Sequence, residues 1–377
     1  MDLFKFTMQQ GHETVLQGGE AINGVRSVMW TERYRGVGEF EIKAFLSSGL
    51  LSKLPLGTLI SHVNTLEVMM VEDHQITENK DEDPMLTITG RSFYAFLDFR
   101  VVGMIKSYQY QDLARGEYAI ASDYTWKQAV LLINDSIQNA ATYGVLEEVY
   151  GFTGITGTGA QTARTFKRMN ALTAVLELLA FDDIGIRTLR KNPFGGLGSS
   201  TQTRWDIYKG VDKSSSIVFS WERGDVIGAD YLWSDRNILN AVLALTTYFT
   251  GAAEVDINNN PFGHSNGYLR REGVIDATDI DSSYNGNPVG TVDQAPLVQK
   301  AGTRAYQEIA VSKRITLTRV DIAPNTQYIY RKDYNLGDLV MINANYGANQ
   351  VMRVIEHVEI EDENGRTGHP TLAIPTA

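Results

Sequence analysis

The sequence predicts a multidomain α+β protein in which two similar small β domains flank an α/β middle insertion, and three observations carry that reading. Residues 315–375 break into short runs with apolar and polar positions alternating (Ile315, Leu317; Leu339, Met341; Val351, Arg353; His357, Glu359), separated by Asn, Gly and Pro, as antiparallel strands with one wet face require. The phrase Leu336-Gly337-Asp338-Leu339-Val340 has a counterpart near the other end in Leu56-Gly57-Thr58-Leu59-Ile60. Between these ends the apolar period changes from two to three or four, which one continuous β-sandwich would not do.

Both Leu-Gly phrases lead into a strand with a charged segment (68–76; 352–360), then a polar loop (78–84; 362–370) and a short closing strand (86–88; 371–374). Leu56, Gly57 and Leu59 in the first copy, and Leu336, Gly337 and Leu339 in the second, are therefore the candidate structural site: a glycine turn that opens a strand. Two unrelated strands that each need a glycine turn would show the same short phrase, so the shared order of strand, polar loop and closing strand carries the repeat.

With 377 residues the chain is long enough for two or three domains, and its 43% apolar content excludes wholesale disorder. Thirty-four Lys and Arg against 45 Asp and Glu give a net charge of −11, which offers no broad positive surface for a nucleic-acid backbone. The absence of cysteine removes disulfides, thiolate nucleophiles and cysteine metal sites together. The N-terminus MDLFKFTMQQ does not read as a secretory signal, and nowhere do eighteen apolar residues run together, so no direct membrane insertion is expected.

In chain order, residues 1–110 form the first β domain. Phe40 and Ile42 face a core while Glu39 and Glu41 stay wet, and Trp30, Tyr34 and Phe40 read as core or interface aromatics. Residues 91–100 are compatible with a strand or a short helix, and a helical turn closing the first barrel is the expectation. Residues 111–202 are the first part of the middle domain. There Trp126, Val130, Ile133 and Ile137 mark one helix capped by Thr125, and Leu172, Val175, Leu176 and Leu179 mark a second that ends near Asp182-Asp183. Residues 203–235 resemble a hairpin (205–208, 210–212, 217–220) followed by a turn at Glu222-Arg223-Gly224-Asp225, and are expected to return to complete the second barrel. Residues 236–312, the second part of the middle domain, are rich in Gly, Asn, Asp and Ser and then helix-compatible from Leu297 to Ala310. Residues 313–377 form the second β domain.

Chemistry is mostly absent. Gly154 to Thr162 superficially resembles a phosphate loop but lacks the Gly-Lys-(Ser/Thr) ending. The six histidines form no metal-binding series, and Asp276, Asp279 and Asp281 lack the full ladder of a calcium loop, so no metal or cofactor is expected. No G-x-S-x-G elbow is present, and adjacent acidic residues do not make the spaced carboxylate pair of a glycosidase. Arg223-Gly224-Asp225 is more simply a turn than an adhesive motif.

Trp30 to Tyr34 followed by Gly38 to Ile42, Leu56-Gly57 and its strand, Leu86 to Ser92, Ile217 to Ser220, Tyr268 to Asp276, Asp333 to Val340, and Val354-Ile355-Glu356 with Asn364-Gly365 stand in an order that resembles the tail hub or baseplate hub proteins of siphoviruses. The resemblance implies a non-enzymatic structural virion protein at the phage tail tip, synthesised in the host cytoplasm. It implies a homotrimeric ring with two barrel-like tube domains per subunit, matching the sixfold tail tube and lining a channel through which DNA passes without specific binding. Its neighbours would be the tail tube or distal tail protein, the tape measure protein and a fibre or receptor-binding protein. Some relatives carry a lytic extension; with Ala377 directly after the second β unit, none is expected here. A cell-surface carbohydrate-binding module, drawing on Trp221, Tyr231 and Trp233, and a polysaccharide hydrolase are the competing readings.

Overall fold

In the computed structural model the described residues are 3–9, 12–63, 65–102, 111–112, 117–137, 149–155, 161–167, 169–191, 201–234, 241–246, 249–256, 270–276, 283–284, 287–288 and 315–375. Contacts divide the chain into two units, residues 1–228 with 320–377, and residues 229–319.

The first unit starts with the hairpin β1 (Leu3–Gln9) and β2 (His12–Ala21), followed by β3 (Ser27–Arg33), β4 (Glu39–Phe45), the single turn α1 (Leu50–Lys53), β5 (Leu59–His62), β6 (Val68–Thr77) and β7 (Met85–Ser92). Alternation decides which face is buried: Phe40, Ile42 and Ala44 on β4 and Leu86 and Ile88 on β7 turn inward and pack with Trp30, Ile60 and Met69. The ambiguous stretch after β7 is a 3-10 helix, Phe93–Phe99.

A helical module follows: β8 (Gln111–Asp112), β9 (Glu117–Tyr124), α2 (Thr125–Ile137), β10 (Val149–Thr153), β11 (Gln161–Lys167), α3 (Ala171–Phe181), β12 (Gly185–Lys191) and β13 (Thr201–Tyr208). On α3, Leu172, Val175 and Leu179 fall three to four apart and are buried against Leu132 and Ile133 of α2 and Trp205 and Ile207 of β13. Asn170 caps α3, its side chain accepting the Thr173 N–H at 3.1 Å. Thr125 is the first residue of α2, not its cap, and its hydroxyl donates to Asp182 beyond the end of α3. Much of the glycine-rich stretch after β10 lies outside the described residues.

After β14 (Val218–Ser220), the chain leaves the first unit along β15 (Val226–Trp233). The second unit holds β16 (Ala241–Thr246) between β17 (Phe249–Asp256), antiparallel, and β18 (Glu272–Asp276), parallel, and the short pair β19 (Ser283–Tyr284) and β20 (Asn287–Pro288). The expected helix at 297–310 lies outside the described residues. The chain returns on β21 (Ile315–Ile322), which pairs with β15, and finishes with β22 (Leu339–Asn343), β23 (Asn349–Asp362) and β24 (Gly365–Ala373).

Fourteen strands of the first unit form one sheet in the order β10-β13-β2-β1-β5-β6-β7-β4-β3-β23-β22-β14, with β12 on β13 and β24 on β23. This corrects the expectation of two barrels: the fold is a mixed α+β one with several sheets, and among the described residues none of them closes. The reason lies in β23. Its first half pairs with β22 and its second half with β3, Glu356 opposite Arg33 through Glu361 opposite Val28. The outer edge of β3 is thus occupied by the C-terminal strands, and β5 is already paired with β1, so the strands of residues 1–110 cannot close on themselves. Arg33 fastens the seam, Nε to Glu356 Oε2 at 2.6 Å and NH2 to Glu39 Oε1 at 2.7 Å.

The hairpin expected over 205–220 is also absent. β13 pairs with β12, β10 and β2 instead, and β14 adds in parallel to β22. The intervening segment docks on the second Leu-Gly turn, with Val211 N–H to Asp338 Oδ1 at 2.9 Å, Leu339 N–H to Val211 O at 3.0 Å and Lys213 N–H to Leu339 O at 2.9 Å. The turn at 222–225 is present, closed by Gly224 N–H to Trp221 O at 3.0 Å. Asp225 is buried there against Ser220 N–H and Arg223, which ties up the acid of the Arg-Gly-Asp triplet.

Tyr34, directly after β3, joins these parts. Its hydroxyl donates to Asp183 O at 2.7 Å and accepts from Gly210 N–H at 3.3 Å, its own N–H donates to Ile355 O at 2.8 Å, and Ile186 N–H donates to its carbonyl at 3.1 Å. A Cβ at Gly185 would overlap the Tyr34 ring. Gly185→Ala is expected to lower the urea unfolding free energy by about 1–3 kcal/mol, the cost of overpacking a filled site; an unchanged urea midpoint would remove Tyr34 from this role.

Candidate functional site

The two Leu-Gly phrases fold into the same turn. Thr58 N–H donates to Pro55 O (3.0 Å) and Asp338 N–H to Asn335 O (3.2 Å), closing four-residue turns whose third residues, Gly57 and Gly337, have φ of +83° and +88°. That left-handed conformation suits glycine and places Leu56 and Leu336 at the second position of each turn. Next, Gly57 N–H donates to Val71 O (2.8 Å) and Val71 N–H to Thr58 O (2.9 Å); in the second copy Gly337 N–H donates to Val354 O (2.7 Å) and Val354 N–H to Asp338 O (3.0 Å). Leu59 then opens β5 opposite Met70, and Leu339 opens β22 opposite Arg353.

The likeness continues past the turns. One extra residue, Glu72, bulges from β6 between Val71 and Asp73 where it meets β7, and one, Ile355, bulges from β23 between Val354 and Glu356 where it meets β24. With Val71 set on Val354, the strands read Val68-Met69-Met70-Val71-Glu72-Asp73-His74 and Val351-Met352-Arg353-Val354-Ile355-Glu356-His357. The shared Val-Met-x-Val-x-acid-His string is a signal that the Leu-Gly comparison missed. It begins eleven residues after Gly57 but fourteen after Gly337, so a comparison at fixed spacing does not bring it into line.

Surroundings distinguish the copies. Leu336 is 2% exposed and a Cβ on Gly337 would overlap Tyr34, whereas Leu56 is 61% exposed and a Cβ on Gly57 would meet nothing within 4 Å. Behind the second turn, Arg353 donates to Gly337 O and pairs with Asp183.

A cleft of about 450 Å³ beside this turn includes Tyr330, Arg331, Tyr334, His357, Glu359 and Arg366 in its lining. Below it Glu32 is buried and saturated: it accepts from Trp30 Nε1 (3.1 Å), Tyr330 OH (2.8 Å) and Arg331 NH2 (2.7 and 2.5 Å). Burial would raise the Glu32 carboxyl, but the Arg331 charge and these hydrogen bonds hold it below the ordinary carboxylate range. Tyr330 stacks on His357 with centroids 3.9 Å apart, and Arg366 pairs with Glu359 at 2.5 Å. His62 lies 3.8 Å from Glu359, and burial lowers both His62 and His357 to about 4, so both rings are neutral near pH 7. Glu67 is the carboxyl that burial pushes up, to about 8; it is 3% exposed and accepts the Ser92 hydroxyl at 2.6 Å. A locked carboxylate and a sealed carboxylic acid do not form the acid and base pair that glycoside hydrolysis uses. Among the described residues no group of three His, Asp or Glu side chains could hold a metal ion.

The family described as Siphovirus ReqiPepy6 Gp37-like protein matches residues 135–372. No curated protein sequence matches the chain. Three solved structures share the fold over nearly the whole of both chains. The 43 kDa tail protein of prophage MuSo2 from Shewanella oneidensis has a TM-score of 0.54 at 13% identity, covering 100% of this chain and 98% of its own. The tail protein from Neisseria meningitidis MC58 has 0.53 at 12%, covering 99% and 96%. Prophage tail protein gp18 from Listeria monocytogenes EGD-e has 0.53 at 10%, covering 100% and 96%.

The turn geometry predicts that Gly337→Ala loses about 1–3 kcal/mol more than Gly57→Ala in urea unfolding, because the φ cost is common to both and the overlap with Tyr34 belongs to one. Equal losses would show that Tyr34 yields freely. The buried groups set a pH optimum. Between pH 6.5 and 4 the unfolded chain holds His62 and His357 protons that the folded chain lacks, so stability falls on acidification. Glu67 works the other way: from pH 4.5 to 8 the folded chain holds its proton and the unfolded chain does not, so stability falls as pH rises. Two histidines outweigh one glutamate below pH 6.5, which places the maximum in thermal midpoint near pH 6.5. Glu67→Gln is expected to flatten the alkaline decline, and a decline as steep as wild type would discount the Glu67 contribution.

Proposed function

This chain belongs to the siphovirus ReqiPepy6 Gp37-like family, and on that premise we propose that it is a structural tail hub protein, forming a homotrimeric ring at the distal end of the phage tail tube. The observation that carries the reading is the internal duplication. Two copies of one turn, strand and bulged-strand unit in each of three subunits present six similar units to a sixfold tube, which reconciles three chains with six positions. The fold shared with phage tail proteins supports the same role.

In this reading residues 1–110 and 313–377, with strands from 203–235, build the ring, and residues 111–202 and 236–312 brace it. The opening turns at Leu56, Gly57 and Leu59 and at Leu336, Gly337 and Leu339 set the equivalent strands. The ring lines a channel whose wall, in keeping with the net charge of −11, is negative, so DNA passes without specific binding. The tail tube or distal tail protein, the tape measure protein and a fibre or receptor-binding protein are its neighbours. The protein is made in the host cytoplasm, needs no cofactor and acts by assembly, not catalysis. The exposed Trp221 (37%) and Trp233 (67%) favour a cell-surface carbohydrate-binding module as the second reading.

Light scattering on the purified protein is expected to give about 126 kDa, three times the 41.9 kDa chain, and low-resolution imaging an annulus with a hole wide enough for duplex DNA. A monomer that binds host wall sugar would transfer support to the second reading. Release of reducing ends from wall polysaccharide would support a hydrolase.

A further inference from the structure

The two copies of the bulged unit differ in what lies along one edge. In the second copy, β23 has neighbours on both sides beyond its bulge: β24 on one, and on the other β3, which pairs with Glu356 to Glu361 and continues through Tyr34 N–H to Ile355 O. The same element therefore covers the strand edge and, through the Tyr34 ring, the Gly337 turn. In the first copy, β5 stops pairing with β6 at Met70 and the turn reaches Val71, and beyond the bulge β6 is paired with β7 alone among the described residues.

Exposure follows this difference position by position. His357 is buried while its counterpart His74 is half-buried, and Glu359 is 6% exposed while Ile76 in the equivalent place is 44% exposed. Glu356, Val358 and Ile360 are half-buried, and their counterparts Asp73, Gln75 and Thr77 are exposed. An unpaired strand edge with an apolar side chain and an uncovered Leu-Gly turn beside it is a template for another strand.

The chain itself carries a second copy of the covering element. β4 leads into the first turn and pairs with β3, the strand before it in sequence, on one side and with β7 on the other; β21 leads into the second turn and pairs with β15, likewise an earlier strand. β15 thus stands to the second copy as β3 stands to the first. Tyr34 follows the last residue of β3, and Trp233, 67% exposed, ends β15, with Ile227 at 60% and Leu232 at 45% along the same strand.

We propose that the β6 edge from Glu72 to Glu78, together with the Leu56-Gly57 turn, is a docking surface for a second copy of this chain, whose β15 takes the position that β3 holds on β23 and whose Trp233 covers the Gly57 turn as Tyr34 covers Gly337. The contact is heterologous, one surface meeting a different one, so repetition closes a ring when the rotation permits and the ring then alternates internal and intermolecular seams of one kind. This deepens the ring reading and rests on it.

The test uses the full chain. Trp233→Ser and Ile76→Lys, checked for folding by circular dichroism, are expected to sediment as single chains at concentrations where wild type is trimeric, with association weakened at least tenfold. Because the chain has no cysteine, engineered pairs report the contact independently of any folding defect. With Trp233 in the place of Tyr34, Gln75 lies opposite Asp230, so Gln75→Cys combined singly with Ala229→Cys, Asp230→Cys or Tyr231→Cys is expected to give covalent species of up to three chains under oxidising conditions for at least one pair. A trimeric wild type whose surface variants stay trimeric, with no intermolecular bridge from any pair, overturns this surface and leaves the ring standing. A wild type that stays a single chain overturns both.

Discussion

The packing of one aromatic ring governs how this chain is put together. Tyr34 leaves β3 and enters a site where Gly185 opens β12, Gly210 follows β13 and Gly337 turns into β22, and a Cβ at either Gly185 or Gly337 would overlap the ring. The first β segment, the helical module and the C-terminal strands are distant in sequence, and they meet at this phenol. Burial raises its hydroxyl to about 12, so near neutral pH it remains a neutral donor to Asp183 O. Arg353 packs 5.7 Å from the ring centre, donates to Gly337 O and pairs with Asp183, which ties the second turn to the end of α3.

Around that point the protein places charge where it is matched. Glu32 is buried and its partner Arg331 half-buried, and removing Arg331 would leave an uncompensated buried carboxylate, a loss of about 3–5 kcal/mol in comparable cases. Such pairs add little net stability over apolar packing but penalise wrong partners. Arg331 sits at φ of +68°, a conformation costly for a side chain of its size, and its N–H donates to Tyr334 O at 2.7 Å. The strain is carried by the segment that lines the polar cleft.

Much of this is legible in the sequence. The three-to-four spacing of Leu172, Val175 and Leu179 gives α3, and the alternation of Phe40 and Ile42 gives the inward face of β4. The helical positions are local, set within a few residues, and the glycine turns are likewise local. Closure is not local: whether β3 folds back on its own set or pairs with β23 depends on partners hundreds of residues away, and both arrangements satisfy the same alternation. That is why the alternation yields the strands and not their closure, and the barrels that the resemblance implied are replaced by an open sheet. The parallel addition of β14 to β22 is hidden for the same reason, since β14 is three residues long and its register comes from the docked segment at 211–213. The Val-Met-x-Val-x-acid-His repeat is legible in principle and is obscured by unequal loops.

The pairing of β3 with β23 has a consequence for how the protein comes into being. Arg33 and Glu356, joined across this seam, are 323 residues apart in the chain. During synthesis β3 emerges early and waits, its outer edge open, until the ribosome has delivered β23. A chain interrupted before that point lacks both the seam and the second bulged strand, and so carries one copy of the repeating unit instead of two. Translation order thus sets when the sheet can be completed: only a chain read through to β23 can fill the open edge of β3.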